Sequence, residues 1–187
     1  MSRPGWLVSV VAGALLLAGC SGDEPSASPP SDPPSTTTPA TSAPTPTPTL
    51  PPLPADAKGL SRESAQNFVY HYIDLINLAV TTGDTESLRA VSLHGCRGCN
   101  RLMRGVEDVY REGGWIRSEG WTAKTWSSPG RQPMRERVVS VVVRMPDETR
   151  KSSRTSDVET SRPSEGAITF RVRHRSHAWS VAEMGLM

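Results

Sequence analysis

The chain has 187 residues, of which 36% are apolar and 21% charged, with a formal net charge of +2. A length of this order accommodates a single domain of normal size plus extensions. No nucleic-acid motif or interleaved aromatic platform accompanies the arginines, which argues against nucleic acid as a partner.

The first element runs from Trp6 to Ala18. It is apolar, preceded by the amino terminus and Arg3, and closed by Leu17-Ala18-Gly19-Cys20. A charged start, a short hydrophobic core and a small-residue cleavage site predict a secretory signal over residues 1–19. The run is too short to cross a bilayer, which takes about 20 apolar residues. Cysteine directly after Leu-Ala-Gly has the pattern of a lipobox, so Cys20 is the expected lipidation site. The alternative is an ordinary cleaved signal with an incidental cysteine. One fatty chain binds membranes only marginally, so diacylation plus amino-terminal acylation would make attachment durable. The expected location is the outer face of a bacterial cytoplasmic membrane, with the membrane itself as a partner through the anchor. Cys96 and Cys99 are the other cysteines. If lipid takes Cys20, an even pair remains outside the cytoplasm, where disulfides persist. Arginine far outnumbers lysine, which occurs only at 58, 124 and 151. With abundant Ala, Gly and Pro, that bias suits a GC-rich genome.

Residues 20–57 are the anchor cysteine followed by Pro, Ser and Thr, including Thr45-Pro46-Thr47-Pro48. Such a segment cannot bury apolar surface, so a disordered stalk with polyproline II character is expected. At ~3.1 Å per residue its reach is on the order of 100 Å. The Thr-Pro density also suits O-glycosylation. The remaining residues, 58–187, form the expected domain. Asp23, Glu24, Asp32 and Asp56 stay in the stalk, which leaves the domain basic. Arg171, Arg173 and Arg175 alternate along one stretch, with Arg135, Arg137 and Arg144 upstream. They read either as a solvated strand face or as a surface for anionic lipid or wall polymer.

Within the domain, Ser61 predicts the N-cap of a first helix with Glu63 in its first turn. Ala65, Phe68, Tyr72, Leu75 and Ala79 recur at helical spacing, flanked by Val69, Ile73, Ile76 and Val80. Thr82-Gly83-Asp84 ends that helix, Gly83 taking a left-handed position and Asp84 capping a short second helix from Thr85 to about Leu93. A third is expected from about Cys99 to Glu112, ending at Gly113-Gly114. The period then changes. Strands are expected over 115–126, 137–145, 167–175 and 179–184, with a possible edge strand in the polar stretch 148–160. Ile168, Phe170 and Val172 alternate with Thr169, Arg171 and Arg173, giving that strand one dry face. The expected class is α+β: three N-terminal helices packed on a curved, mostly antiparallel, cone-like sheet.

Three helices, then a curved sheet ending in Trp179-Ser180-Val181, resemble the cone of the nuclear-transport-factor-two-like (SnoaL-like) superfamily. More narrowly, the chain resembles a family of actinobacterial lipoproteins of unknown function. The matching elements are the lipobox, the stalk, Phe68-Val69 with Tyr72, Asn77 with Ala79, Thr82-Gly83-Asp84, and Cys96 with Cys99. The superfamily includes ketosteroid isomerases, polyketide cyclases, dehydratases and non-catalytic binding modules, so the resemblance implies a fold and not an activity.

Two constellations could carry chemistry. Cys96-Arg97-Gly98-Cys99 opens the third helix, where a thiol pKa is lowered and a pair can cycle with its disulfide. Without a βαβ context, and with Gly95 where a thioredoxin-like motif has an aromatic, a structural disulfide is preferred over redox exchange. Metal is disfavoured because zinc needs two further ligands and only His94 is near. The second is a cone pocket, for which Tyr72, Tyr110, Trp115 and Trp121 are candidate lining residues. The chain also offers His71 and Asp74 on the first helix and Trp126 and Trp179 near the sheet; Tyr72 also fits plain core packing and Asp74 a solvated position. His174 and His177 flank the turn between the last two strands and read as an exposed loop rather than a paired site. No catalytic set, cofactor or metal site is assigned. The expectation is a non-catalytic binding or interaction module whose partner is an envelope protein, a wall polymer or a small apolar ligand. An isomerase- or cyclase-type enzyme, or a thiol redox protein, is the alternative.

Overall fold

A computed structural model describes residues 49–186, so the signal sequence, Cys20 and the stalk up to residue 48 lie outside the described residues. The expected α+β class is present. A 3-10 turn, Ala55–Lys58, leads into helix α1 (Arg62–Thr82). Ser61 caps it, its Oγ accepting from Ser64 N at 3.0 Å. Gly83 ends it with φ 80°, its N–H donating to Ala79 O at 2.7 Å. A Cβ on Gly83 would also lie 2.5 Å from Tyr110 Cγ, so glycine is required there twice over.

Helix α2 (Glu86–Ala90) is shorter than the expected span to Leu93, and its N-cap is Thr85. Asp84 still serves the helix start, since its Oδ1 accepts from Glu86 N at 2.9 Å. Residues 91–93 leave the helix to bind the edge of the sheet. Val181 N donates to Val91 O at 2.9 Å, and Leu93 N to Val181 O at 2.8 Å. An exposed edge is thereby covered. Helix α3 (Arg97–Arg111) starts two residues earlier than expected, with Cys96 as N-cap.

The expected strand 115–126 is two strands, β1 (Trp115–Ser118) and β2 (Thr122–Ser127), which join different sheets. Gly120, with φ 88°, turns the chain between them. β1 pairs with β4 (Glu148–Lys151), which pairs with β5 (Val158–Ser161), so the polar stretch 148–160 supplies two strands of a small antiparallel sheet. The larger sheet has the order β2-β3-β6-β7, with β3 (Glu136–Met145), β6 (Ser164–Arg175) and β7 (Ala178–Leu186), antiparallel throughout. Register shifts at Ala123/Thr125 and Arg171/Val172 are irregularities of the kind that bend a sheet.

Helix α1 lies on the larger sheet. Phe68, Tyr72, Ile73 and Ile76 from the helix join Val139, Val141, Val143, Ile168, Phe170 and Val172 from β3 and β6 in one buried cluster. The period of about 3.6 on the helix meets the period of two on the strands, and each contributes only its apolar face. Cys96, Cys99 and Met103 bring α3 into the same core. The packed body also reaches back before residue 58, because Ala57 is 1% exposed.

Candidate functional site

Among the described residues, the space between α1 and the larger sheet is packed with buried side chains. Tyr72, 1% exposed, meets Phe170, 0% exposed, edge to face with ring centroids 5.9 Å apart. Its hydroxyl is 2.8 Å from Ser92 Oγ, and that hydroxyl in turn donates to Leu88 O at 2.7 Å. Tyr72 therefore closes a hydrogen-bonded chain from α1 to the end of α2. Burial pushes its phenol up to about 12, opposed by the bond to Ser92.

The other sequence candidates have separate surroundings. The Tyr110 hydroxyl donates toward Val80 O at 2.7 Å and Thr81 O at 2.8 Å, carbonyls near the end of α1. Trp115 is half-buried on β1 with the Arg117 guanidinium 4.3 Å over its ring. Trp121 packs against the core with its backbone held by Asn77, and Trp126 packs there too. Asp74 is exposed on α1, whereas His71 is buried with Nδ1 unpartnered among the described residues. Burial lowers the His71 pKa and raises that of Asp74; the two oppose these shifts in each other.

The two histidines expected on an exposed turn part company. His177 is in the turn with φ 68°. His174 is instead 7% exposed, because its register opposite Trp179 places it on the buried face. The two rings stack edge to face at 4.9 Å. His174 Nε2 lies 3.3 Å from Lys58 O, and Trp179 Nε1 donates to Gly59 O at 2.8 Å. The pair thus holds the entry of the chain into the domain.

Cys96 and Cys99 form a disulfide, and both are 0% exposed. Cys96 Sγ accepts from Cys99 N at 3.2 Å, a capping contact on α3. A sulfur so enclosed is out of reach of an attacking thiolate. Next to it, Gly98 packs against β7 so closely that a Cβ would sit 1.9 Å from Met184 O. Beside this contact opens a surface cleft of about 500 Å³ lined by Gly95, Arg97, Gly98, Arg101, Glu183 and Met184.

The arginine face of β6 is largely neutralised. Arg171 Nη1 is 3.0 Å from Glu136 Oε1 and its Nε 3.0 Å from Glu183 Oε2, while Arg173 Nε is 2.9 Å from Glu136 Oε2. The two arginines hold the Glu136 carboxyl below its usual range. Sequence reasoning passed over Glu136 and Ser92, whose roles depend on strand register and tertiary approach and leave no local signal. Among the described residues no group of three or more His, Cys, Asp or Glu could hold a metal ion, and no helix is long and apolar enough to cross a membrane.

No curated protein matches the chain. Among solved structures, the intermembrane space region of chloroplast protein ARC6 is similar in fold, with 12% identity, a TM-score of 0.50, and coverage of 68% of this chain and 96% of that one. A protein named Rd1NTF2_05, carrying five substitutions, aligns at 10% identity and TM-score 0.41 over 66% of this chain and 99% of its own. A protein of unknown function with a cystatin-like fold from Nostoc punctiforme aligns at 10% identity and TM-score 0.43, over 68% of this chain and 92% of that one. At such identities the likeness concerns fold alone. Residues 32–185 match a family directly, and the chain belongs to that family, the Family of unknown function (DUF6318).

Proposed function

We propose that this protein is an actinobacterial lipoprotein, cut before Cys20, lipidated there, and held by its Pro/Ser/Thr stalk on the outer face of the cytoplasmic membrane. Its domain serves as a non-catalytic binding module at the envelope. The observation that carries the binding role is the filled interior: Tyr72 and Phe170 occupy the space where an isomerase or cyclase of this architecture needs an open cavity with an ionisable group. Tyr72 spends its hydroxyl on Ser92, and with a pKa of about 12 it moves no proton near neutrality. The enclosed disulfide supports a structural rather than a redox role. The anchoring part rests on the lipobox and on the cysteine parity.

Metabolic labelling with an alkyne fatty acid in an actinobacterial host, wild type against Cys20→Ser, tests the anchor. Wild type incorporates label and fractionates with membranes, and the variant does neither. Equal labelling of both chains removes Cys20 from the role.

A further inference from the structure

On β6, Arg171 and Arg173 are ion-paired and, among the described residues, only Arg175 is not, whereas on α3 three arginines without an ion-pair partner stand together. Arg97, Arg101 and Arg104 follow one another at helical spacing of four and three, so they share one face, and all three are exposed. The opposite face holds Cys99, Met103, Val106 and Val109, all buried. Among the described residues none of the three arginines has an ion-pair partner, whereas Arg89, Arg111, Arg171 and Arg173 each do. Glu183, the one carboxylate lining the adjoining cleft, is already engaged by Arg171.

Helix stability does not account for Arg97 and Arg101; only Arg104 stands three and four residues before acids, Glu107 and Asp108, which are themselves paired with Arg89 and Arg111. Like charges three and four residues apart destabilise a helix by about 0.2–0.5 kcal/mol per pair. Cations near a helix start also oppose its dipole. The first turns of α1 and α2 carry Glu63 and Glu86, but that of α3 carries no acid.

We infer that this arginine face and its cleft dock an anionic polymer bearing repeating phosphate groups. The charges are spaced by roughly 6 and 4.5 Å along the helix axis, a row suited to a chain of negative groups. The cleft of about 500 Å³ beside Arg97 and Arg101 gives such a chain a concave path, which a flat bilayer could not follow. The inference deepens the proposed role as a binding module and takes only its envelope setting from there.

The test uses the full chain in detergent micelles and fluorescently end-labelled inorganic polyphosphate as the probe. Wild type binds, and log affinity falls against log salt with a slope of roughly −2, as three contacts at about 0.7 each require. R97Q/R101Q/R104Q loses at least tenfold in affinity and nearly all the salt slope. R97K/R101K/R104K, which keeps the charges, stays near wild type. A control removing three exposed arginines outside α3, two in the β2–β3 connection and one at the end of β6, R131Q/R135Q/R175Q, changes binding by less than twofold. Equal loss in the control and the α3 variant overturns the inference, because net charge alone would then explain binding. So does polyphosphate failing to bind, including the case where phosphatidylglycerol vesicles do. Either failure leaves the Cys20 labelling result standing, so a wrong partner and a wrong anchor are told apart.

Discussion

Asn77 holds the backbone of Trp121 from both sides: its Nδ2 donates to Trp121 O at 3.0 Å and its Oδ1 accepts from Trp121 N at 2.7 Å. The side-chain amide thereby substitutes for a strand partner at the corner where β1 leaves for one sheet and β2 for the other. Gly120 makes the approach possible, since its φ of 88° and a Cβ only 2.9 Å from Asn77 Cγ both exclude a side chain. Asn77→Ala strands two backbone groups at a half-buried corner and should cost about 2 kcal/mol. For a domain of this size that lowers Tm by roughly 5–10 °C. Gly120→Ala should cost a similar amount, and the double variant less than the sum, because both break one contact. Calorimetry on the four chains decides, and strict additivity would separate the two residues.

The disulfide supports a finer prediction than simple loss of a crosslink. Closing so short a loop contributes ~2 kcal/mol on the chain-entropy model. Cys96 is also the N-cap of α3, with its sulfur accepting from Cys99 N. Serine at that position can accept the same bond, and a Ser cap outranks Ala by about 1 kcal/mol. C96A/C99A should therefore melt below C96S/C99A, and both below wild type. Identical midpoints for the two variants would show that the cap carries no energy. Wild-type protein should also fail to reduce insulin, since both cysteines are 0% exposed.

Where structure was written locally, the sequence was readable. Ser61 and Gly83 delimit α1 through their own backbone preferences, and the alternation of Ile168, Phe170 and Val172 marks the buried face of β6. What escaped depends on partners distant in sequence. The run 115–126 reads as one strand because the Asn77 clamp that bends it lies 44 residues away. His174 is the exception: it continues the buried alternation of Ile168, Phe170 and Val172 and pairs with Trp179 only five residues on, yet reads as part of the turn beside His177. The β6 arginines read as a solvated strand face or a surface for anionic lipid or wall polymer, with their ion pairs unseen, because Glu136 reaches them only through the β3–β6 register. Of the pocket candidates, Tyr72 was legible as a stripe residue, but whether it lined or filled the interior depended on Phe170 across the sheet.

His71 should make the fold acid-sensitive. Burial holds its imidazole pKa below the ordinary value, only partly offset by Asp74. The unfolded chain then takes up a proton near pH ~6.5 while the folded chain resists it. Stability is fully present above that pH and falls as pH drops toward the folded pKa. Asp74 acts oppositely, since burial raises its pKa and the folded chain takes up that proton before the unfolded chain as pH falls. Urea midpoints should thus fall as pH drops through and below about 6.5, and His71→Gln should flatten most of that decline. An unchanged slope in the variant would assign the sensitivity to another group.

The entry of the chain into the domain should be energetically part of it. Ala57 is 1% exposed, Lys58 O lies against His174, and Gly59 O accepts from Trp179 Nε1. Residues further back make a lighter contact, with Thr49 and Pro51 lining a shallow groove beside Asp74, Asn77 and Leu78 of α1. A fragment starting at residue 49 should therefore melt with the full chain. One starting at residue 59 loses the Ala57 contact and the acceptor for His174, and should melt several degrees lower. Trp179→Phe isolates one part of the latch: it keeps a ring against His174 but removes the bond to Gly59, at a cost of about 1 kcal/mol. Amide exchange in the variant should quicken around residues 55–60 while the β3–β6 ladder stays protected. Uniform quickening across the domain would mean that the latch is not a local device but a share of the global core.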